Sequence, residues 1–197
     1  LIKGRFIVIE GADGVGSTTQ AKALVSYLNE AGRKAVFTAE PSGGDIGKLA
    51  RSYLRAGSEQ AKETLALLFA ADRLQHYHSE IAPALEAGVD VVSDRYVLSS
   101  LVYQSLDLPT AWVKQLNRFA PPPDATILIA LPFLTAWNRI CGRLESGSTK
   151  EIFDRRDLQE RIHTLYEELL HEVSGIVVDG RGFPEEVLER VKGVLPP

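Results

Sequence analysis

Phe6-Ile7-Val8-Ile9-Glu10-Gly11-Ala12-Asp13-Gly14-Val15-Gly16-Ser17-Thr18-Thr19 is the stretch on which the reading of this chain turns. The apolar run over 5–10 predicts a buried strand, and the pattern over 18–31 predicts a helix. Between them lies a loop spaced G-x-x-x-x-G-x-T, the frame of a phosphate-binding turn between strand and helix. Gly11, Gly14 and Gly16 let the backbone turn tightly enough for its N–H groups to face phosphate oxygens. The helix start adds a partial positive charge. Thr18 keeps the hydroxyl expected to reach Mg²⁺, whereas Ser17 stands where this frame normally carries lysine. The plain alternative is a tight structural turn. The missing lysine favours that alternative, and the strand–loop–helix context opposes it.

Working outward, the 197 residues favour one compact domain with a lid. With 45% hydrophobic and 24% charged residues, the chain reads as soluble and globular. No apolar run approaches the roughly 20 residues that span a bilayer. No signal-peptide pattern opens the sequence, so a cytoplasmic setting is the expectation. Cys141 is the one cysteine, so no intrachain disulfide is expected. The net charge of −4 disfavours a broad nucleic-acid surface but leaves room for a small basic pocket.

Further strands are expected at 34–39, 90–94, 124–131 and 176–179, as short apolar runs suited to central parallel strands. Helical patterns cover 46–56, 60–87, 97–105, 110–118, 134–144, 155–173 and 184–193. This alternation argues for an α/β architecture, a parallel sheet with helices on both faces. Strand carboxyl ends then share one edge. The phosphate loop, Glu40-Pro41-Ser42-Gly43-Gly44 and Asp94-Arg95-Tyr96 each follow a strand, so they should meet there. Gly142 to Lys150 is polar, and composition allows either a flap or an exposed turn. Asp94 ends an apolar strand where an acid near Mg²⁺ belongs. Arg95 beside it has the fork geometry for gripping a phosphate. A surface ion pair is the simpler reading of the two.

Four segments together resemble the thymidylate kinases, within the P-loop nucleoside monophosphate kinases. They are Phe6 to Gly14, Glu40 to Gly44, Leu67-Leu68-Phe69-Ala70-Ala71-Asp72-Arg73, and Ser93-Asp94-Arg95-Tyr96 followed by Ser99, Ser100, Tyr103 and Gln104. They stand in the family's order and spacing across nearly the whole chain. The resemblance implies a three-layer P-loop NTPase fold, a five-stranded parallel sheet flanked by helices, with a small lid at about 142–156. It also implies transfer of the γ-phosphoryl of ATP to dTMP, giving dTDP, with Mg²⁺ as cofactor, and a homodimer.

Residue by residue, the resemblance implies that Gly11, Ala12, Asp13, Gly14, Val15, Gly16, Ser17, Thr18 and Thr19 bind ATP phosphates. Thr18 and Asp94 would hold the metal, directly or through water. Asp13 would accept the sugar 3′-hydroxyl, Arg95 would clamp the dTMP phosphate, Phe69 would stack on thymine and Arg73 would donate to a thymine carbonyl. Ser100 would stand beside the thymine N3 edge, Tyr103 under the deoxyribose, with Glu40, Arg51, Ser99 and Gln104 as further contacts. On periodicity alone Phe69 reads as core, and Arg73 shares its helical face. His76 and His78 lie two residues apart on different faces, so a metal site there is not expected.

The chemistry needs cations more than a base. A nucleotide phosphate is already ionised near neutral pH, so positioning and charge stabilisation carry the rate. With Ser17 neutral, the resemblance turns attention to the lid cations Arg139, Arg143, Lys150, Arg155 and Arg156. Asp13, Asp94, Arg95, Arg143, Arg155 and Arg156 form the expected catalytic set. Where the family often has Arg-Phe-Glu, this chain has Ile152-Phe153-Asp154. Two alternatives stay open: a weakly active or non-catalytic nucleotide-binding homologue, or a deoxynucleoside kinase with Glu10 or Glu40 as base.

Overall fold

The computed structural model describes residues 3–56, 62–146 and 152–196. Five parallel strands, β1 (Phe6–Glu10), β2 (Ala35–Ala39), β3 (Asp90–Asp94), β4 (Ala125–Ala130) and β5 (Ile176–Asp179), form one sheet in the order β2-β3-β1-β4-β5. The expected strands are found with ends shifted by at most one residue. The helices are α1 (Ser17–Glu30), α2 (Asp45–Ala56), α3 (Lys62–His76), α4 (Ala82–Glu86), α5 (Val97–Gln104), α6 (Thr110–Leu116), α7 (Phe133–Glu145), α8 (Arg156–Leu169) and α9 (Pro184–Lys192). This is the three-layer α/β P-loop NTPase fold.

Two helices are less uniform than their periodicity suggests. The pattern over 60–87 resolves into α3, a π turn at Tyr77–Ile81, and α4. Residues 60 and 61 lie outside the described residues. A π turn inserts one residue into the hydrogen-bond ladder, and hydrophobic spacing alone does not reveal it. Likewise α8 tightens into a 3₁₀ turn at Leu170–Val173 before β5.

Every residue of β1 is buried, because this strand sits between β3 and β4 with both faces covered. Successive side chains point to opposite faces. Ile7 and Ile9 join the cluster containing Leu24 and Leu28 of α1 and Val187 and Val191 of α9. Phe6 and Val8 pack with Ile81, Leu85, Val91 and Tyr96. At the amino edge, the Asp90 carboxylate takes Arg5 Nη2 at 2.9 Å and Arg33 Nε at 2.7 Å. Burial alone would raise this carboxyl, but the bonds from Arg33 and Arg5 outweigh it and hold it well below the usual range.

The register sets up the opposite edge. Ile9 and Ala39 both pair with Asp94, so Glu10, Glu40 and Arg95 emerge at one level from three adjacent strands. The three loops expected to converge therefore do so. Among the described residues, no helix is long and apolar enough to cross a membrane.

Candidate active site

The phosphate loop is shaped by its glycines. Gly14 and Gly16 have φ of 80° and 99°, which L side chains rarely adopt. A Cβ on Gly14 would also fall 2.4 Å from the Ala136 carbonyl oxygen, so α7 closes against the loop where no side chain fits. Helix α1 starts at Ser17, which is buried and brings no charge. The first turn of α1 carries no acidic residue, leaving its partial positive charge unopposed from within the helix.

Thr18 Oγ1 donates to Asp94 Oδ2, joining helix start to strand end. Asp94 Oδ1 is buried and has no hydrogen-bond partner among the described residues. A hydroxyl beside an orphaned carboxylate oxygen suits a hard cation such as Mg²⁺, which takes one or two protein oxygens and completes its shell with water and phosphate. Thr18 and Asp94 thus fit the metal expected of them.

Beyond this edge opens a cleft of about 560 Å³, mouth included. Asp13, Glu40, Phe69, Arg73, Arg95, Ser99, Ser100, Tyr103 and Gln104 all line it. Arg51 does not. Its guanidinium donates to the carbonyl oxygens of Pro41 and Ser42 and so holds the loop after β2. Phe69 is half-buried on α3 with its ring on the cleft wall, so the core reading from periodicity is incomplete.

Arg95 joins the cleft to the phosphate loop. It sits at φ 75°, an uncommon conformation for a residue with a Cβ, and its N–H donates to the Ile9 carbonyl oxygen at 2.9 Å. Nη2 donates to Asp13 Oδ1 at 2.7 Å, while Nη1 reaches Tyr166 Oη at 2.9 Å and Ser99 Oγ at 3.1 Å. The guanidinium also lies over the Tyr103 ring. Burial opposes its charge, but the surrounding Tyr103, Tyr166, Asp13 and Asp94 oxygens outweigh that and raise its pKa further. Burial pushes the Tyr103 and Tyr166 phenols well above their ordinary value, against the pull of Arg95.

Asp13 is enclosed by donors. Besides Arg95, its Oδ2 accepts from Tyr103 Oη at 3.0 Å and Gln159 Nε2 at 2.7 Å. Arg73 is similarly engaged: Nε donates to Glu40 Oε2 at 2.8 Å, Nη1 to Ser100 Oγ and Asn117 Oδ1, and Nη2 to the Tyr96 carbonyl oxygen. Nη2 also lies 2.8 Å from Glu40 Oε2, so all five N–H groups face acceptors and a base carbonyl reaching Arg73 has to share one.

Three supporting groups lie outside the expected site residues, and one of them, Glu10, is the base of the deoxynucleoside kinase alternative. Asp72 holds Ser42 through its backbone N–H at 2.6 Å and hydroxyl at 2.5 Å. His76 sits behind Glu40, with Nδ1 at 3.3 Å from Oε1 and Nε2 at 2.6 Å from Thr38 Oγ1. Glu10 accepts from the backbone N–H of Tyr96 and Ser99 and from Ser99 Oγ at 2.6 Å. Burial raises the Glu10 carboxyl above its ordinary value, with Ser99 and Arg95 opposing. A carboxylate committed to these scaffold donors is poorly placed as a general base. Asp72 lay inside a segment quoted for the resemblance. Tyr166 and Gln159 fall within the helical pattern over 155–173, which by itself gives them no role.

Among the described residues, the cations expected in and beside 142–156 do not converge. Arg139 Nη1 lies 3.3 Å from the Gly14 carbonyl oxygen and 3.4 Å from that of Val15, against the phosphate loop. Arg143 pairs with Asp154 at 3.2 Å and Arg155 with Asp157 at 2.7 Å. Arg156 opens α8 and is exposed. Lys150 lies outside the described residues.

With this geometry in hand, the chain compares closely with known proteins. The family model described as Thymidylate kinase matches residues 9–191. A "Probable thymidylate kinase" of Thermococcus gammatolerans is 39% identical, over 98% of this chain and 96% of that protein. Proteins of the same description from Pyrococcus abyssi and Methanocaldococcus jannaschii are 38% and 36% identical, each covering 97% of the relative and at least 98% of this chain.

Proposed function

The chain belongs to the thymidylate kinase family, and from that premise we infer that it transfers the γ-phosphoryl group of ATP to dTMP, giving dTDP and ADP. One observation supports the reading above others. The Arg95–Asp13 ion pair stands between a phosphate loop and a cleft walled by Phe69, Ser100, Tyr103 and Gln104. A nucleotide whose base lies against Phe69 presents its phosphate to Arg95, within reach of the loop.

A phosphate oxygen of dTMP attacks the γ-phosphorus, and the bond from γ-phosphorus to the β–γ bridging oxygen breaks with its electrons leaving on ADP. The acceptor is already anionic, so no protein base takes a proton. Arg95 offsets the charge of the incoming phosphate, and the loop N–H groups with the α1 start receive the donor phosphates. Thr18 and Asp94 would hold Mg²⁺, which when bound neutralises charge on the β- and γ-phosphates. Asp13 orients the sugar 3′-hydroxyl, and Tyr103 disfavours a 2′-hydroxyl by lying under the ribose.

Ser17 leaves this arrangement one cation short. We assign the missing charge to a lid at about 142–156 and its flanks, with Arg139, Arg143, Arg155 and Arg156 as candidates alongside Lys150. By the same family premise, the enzyme acts in the cytoplasm as a homodimer, with ATP and dTMP as partners and no nucleic acid. A coupled assay offering MgATP with dTMP, dUMP, dCMP or thymidine tests the proposal. Preference for dTMP is the expected outcome; turnover of thymidine alone would make the chain a nucleoside kinase.

A further inference from the structure

Gln159 is fully buried in the first turn of α8, and its amide is used in an uneven way. Nε2 donates to Asp13 Oδ2 at 2.7 Å and to the Phe153 carbonyl oxygen at 3.1 Å. Oε1 is buried and has no hydrogen-bond partner among the described residues. Reversing the amide would set Oε1 against two oxygens, so these acceptors fix its orientation. Both of its N–H bonds are thus committed to one bridge, at the cost of an unsatisfied carbonyl.

The bridge ties two parts of the cleft directly to each other. On one side is Asp13, which fixes Arg95 Nη2 and Tyr103 Oη. On the other is Phe153, whose ring lies edge-on to Tyr103 at 4.9 Å and lines the cleft. We propose that Gln159 is a positioning residue for the acceptor: by tying Asp13 to the Phe153 backbone, it sets the Asp13–Arg95 clamp against the cleft wall. The inference rests on the dTMP kinase reading and deepens it. Gln159 acts through Asp13.

Two variants test it. Gln159→Leu fills similar volume and donates nothing. Gln159→Glu keeps the shape and can donate only when protonated. Buried beside Asp13, its carboxyl should titrate well above the ordinary value. The charged and titratable groups around it are Asp13, Arg95, Tyr103 and Tyr166, with His163 Nδ1 at 2.9 Å from the Gln159 carbonyl oxygen and the Arg143–Asp154 pair next to Phe153.

Kinetics with MgATP and dTMP from pH 6 to pH 8.5, together with melting temperatures, read the outcome. Gln159→Leu should lose roughly tenfold in kcat/KM for dTMP at every pH, mainly through KM for dTMP, with KM for ATP unchanged. Gln159→Glu should be worse than Gln159→Leu at pH 8.5 and approach the parent enzyme at pH 6. Two variants equal to the parent, or equally impaired with flat pH profiles, would overturn the inference. Should Gln159→Leu fail to fold, the recovery of Gln159→Glu on acidification decides alone. A parent chain that turns over no dTMP would defeat the substrate reading instead. The bridge is then judged by melting temperature: a deficit of Gln159→Glu that shrinks as pH falls supports it, and a pH-independent deficit overturns it.

Discussion

The acceptor side and the donor side of this site are built differently. Around the cleft, Arg73, Glu40, Arg95, Asp13 and Glu10 are buried or largely buried and tied to defined partners. On the donor side, the described candidate cations Arg139, Arg143, Arg155 and Arg156 are exposed, and Arg155 pairs with Asp157 two residues away. Exposed pairs of that kind contribute little to stability and exchange partners easily. Buried pairs are costly to break, because a lone charge is left without water. Under the proposal above, the acceptor site is preorganised and the donor-side charge is assembled when the triphosphate arrives.

The largest expected effect breaks the preorganised side. Arg95→Ala should lower kcat/KM for dTMP by about 10³-fold, since it removes a fixed cation from the path of the phosphate. The melting temperature should change far less, as Asp13 keeps Tyr103 and Gln159. Near-normal kinetics with lost stability would instead assign Arg95 to the scaffold.

On the donor side, neutralising the compensating cation among Arg139, Arg143, Lys150, Arg155 and Arg156 should cost roughly 10²-fold in kcat with little change in dTMP affinity. Ser17→Lys should reduce dependence on that residue. Double-mutant cycles between Ser17→Lys and each neutralisation measure the coupling. Full turnover in all five single variants would leave the loop backbone and Mg²⁺ as sufficient.

A smaller effect is expected at the cleft wall. Phe69→Ala should weaken dTMP binding by about 1–3 kcal/mol if the ring stacks on the base. Calorimetry reads this directly, and unchanged affinity in a folded variant would return Phe69 to the core.

The smallest effect concerns Glu10, whose folded pKa is raised by burial. A raised folded value means that the stability it contributes is present below the unfolded value of about 4.3 and is lost as pH rises through the folded one. Glu10→Gln keeps an acceptor for the Tyr96 and Ser99 N–H groups and removes that titration. Its melting temperature, relative to the parent, should therefore rise from pH 4 to neutrality. A constant difference would mean that Glu10 does not titrate between the two states in that range.

Much of the fold was legible because the signals are local. Short apolar runs between helical repeats located all five strands, since strand and helix periodicities need only neighbouring residues. The phosphate loop was legible for the same reason, as its glycines, Thr18 and the flanking elements are contiguous. Most of the cleft lining was legible through the family resemblance; periodicity alone had put Phe69 in the core. What escaped were groups whose importance comes from distant partners. Gln159 meets Asp13 across 146 positions, and Tyr166 meets Glu10 across 156.

By itself, then, the sequence determined the order of elements, the phosphate loop and its missing lysine, because backbone preference and loop chemistry are written in adjacent residues. Only the tertiary structure decided that Asp13 is held by Arg95, Tyr103 and Gln159, that Arg51 braces the loop after β2 rather than lining the cleft, and that Arg139 lies against the phosphate-loop carbonyls. Those contacts depend on the strand order β2-β3-β1-β4-β5 and its register, which bring separate strand ends to one level, and no local pattern encodes that convergence.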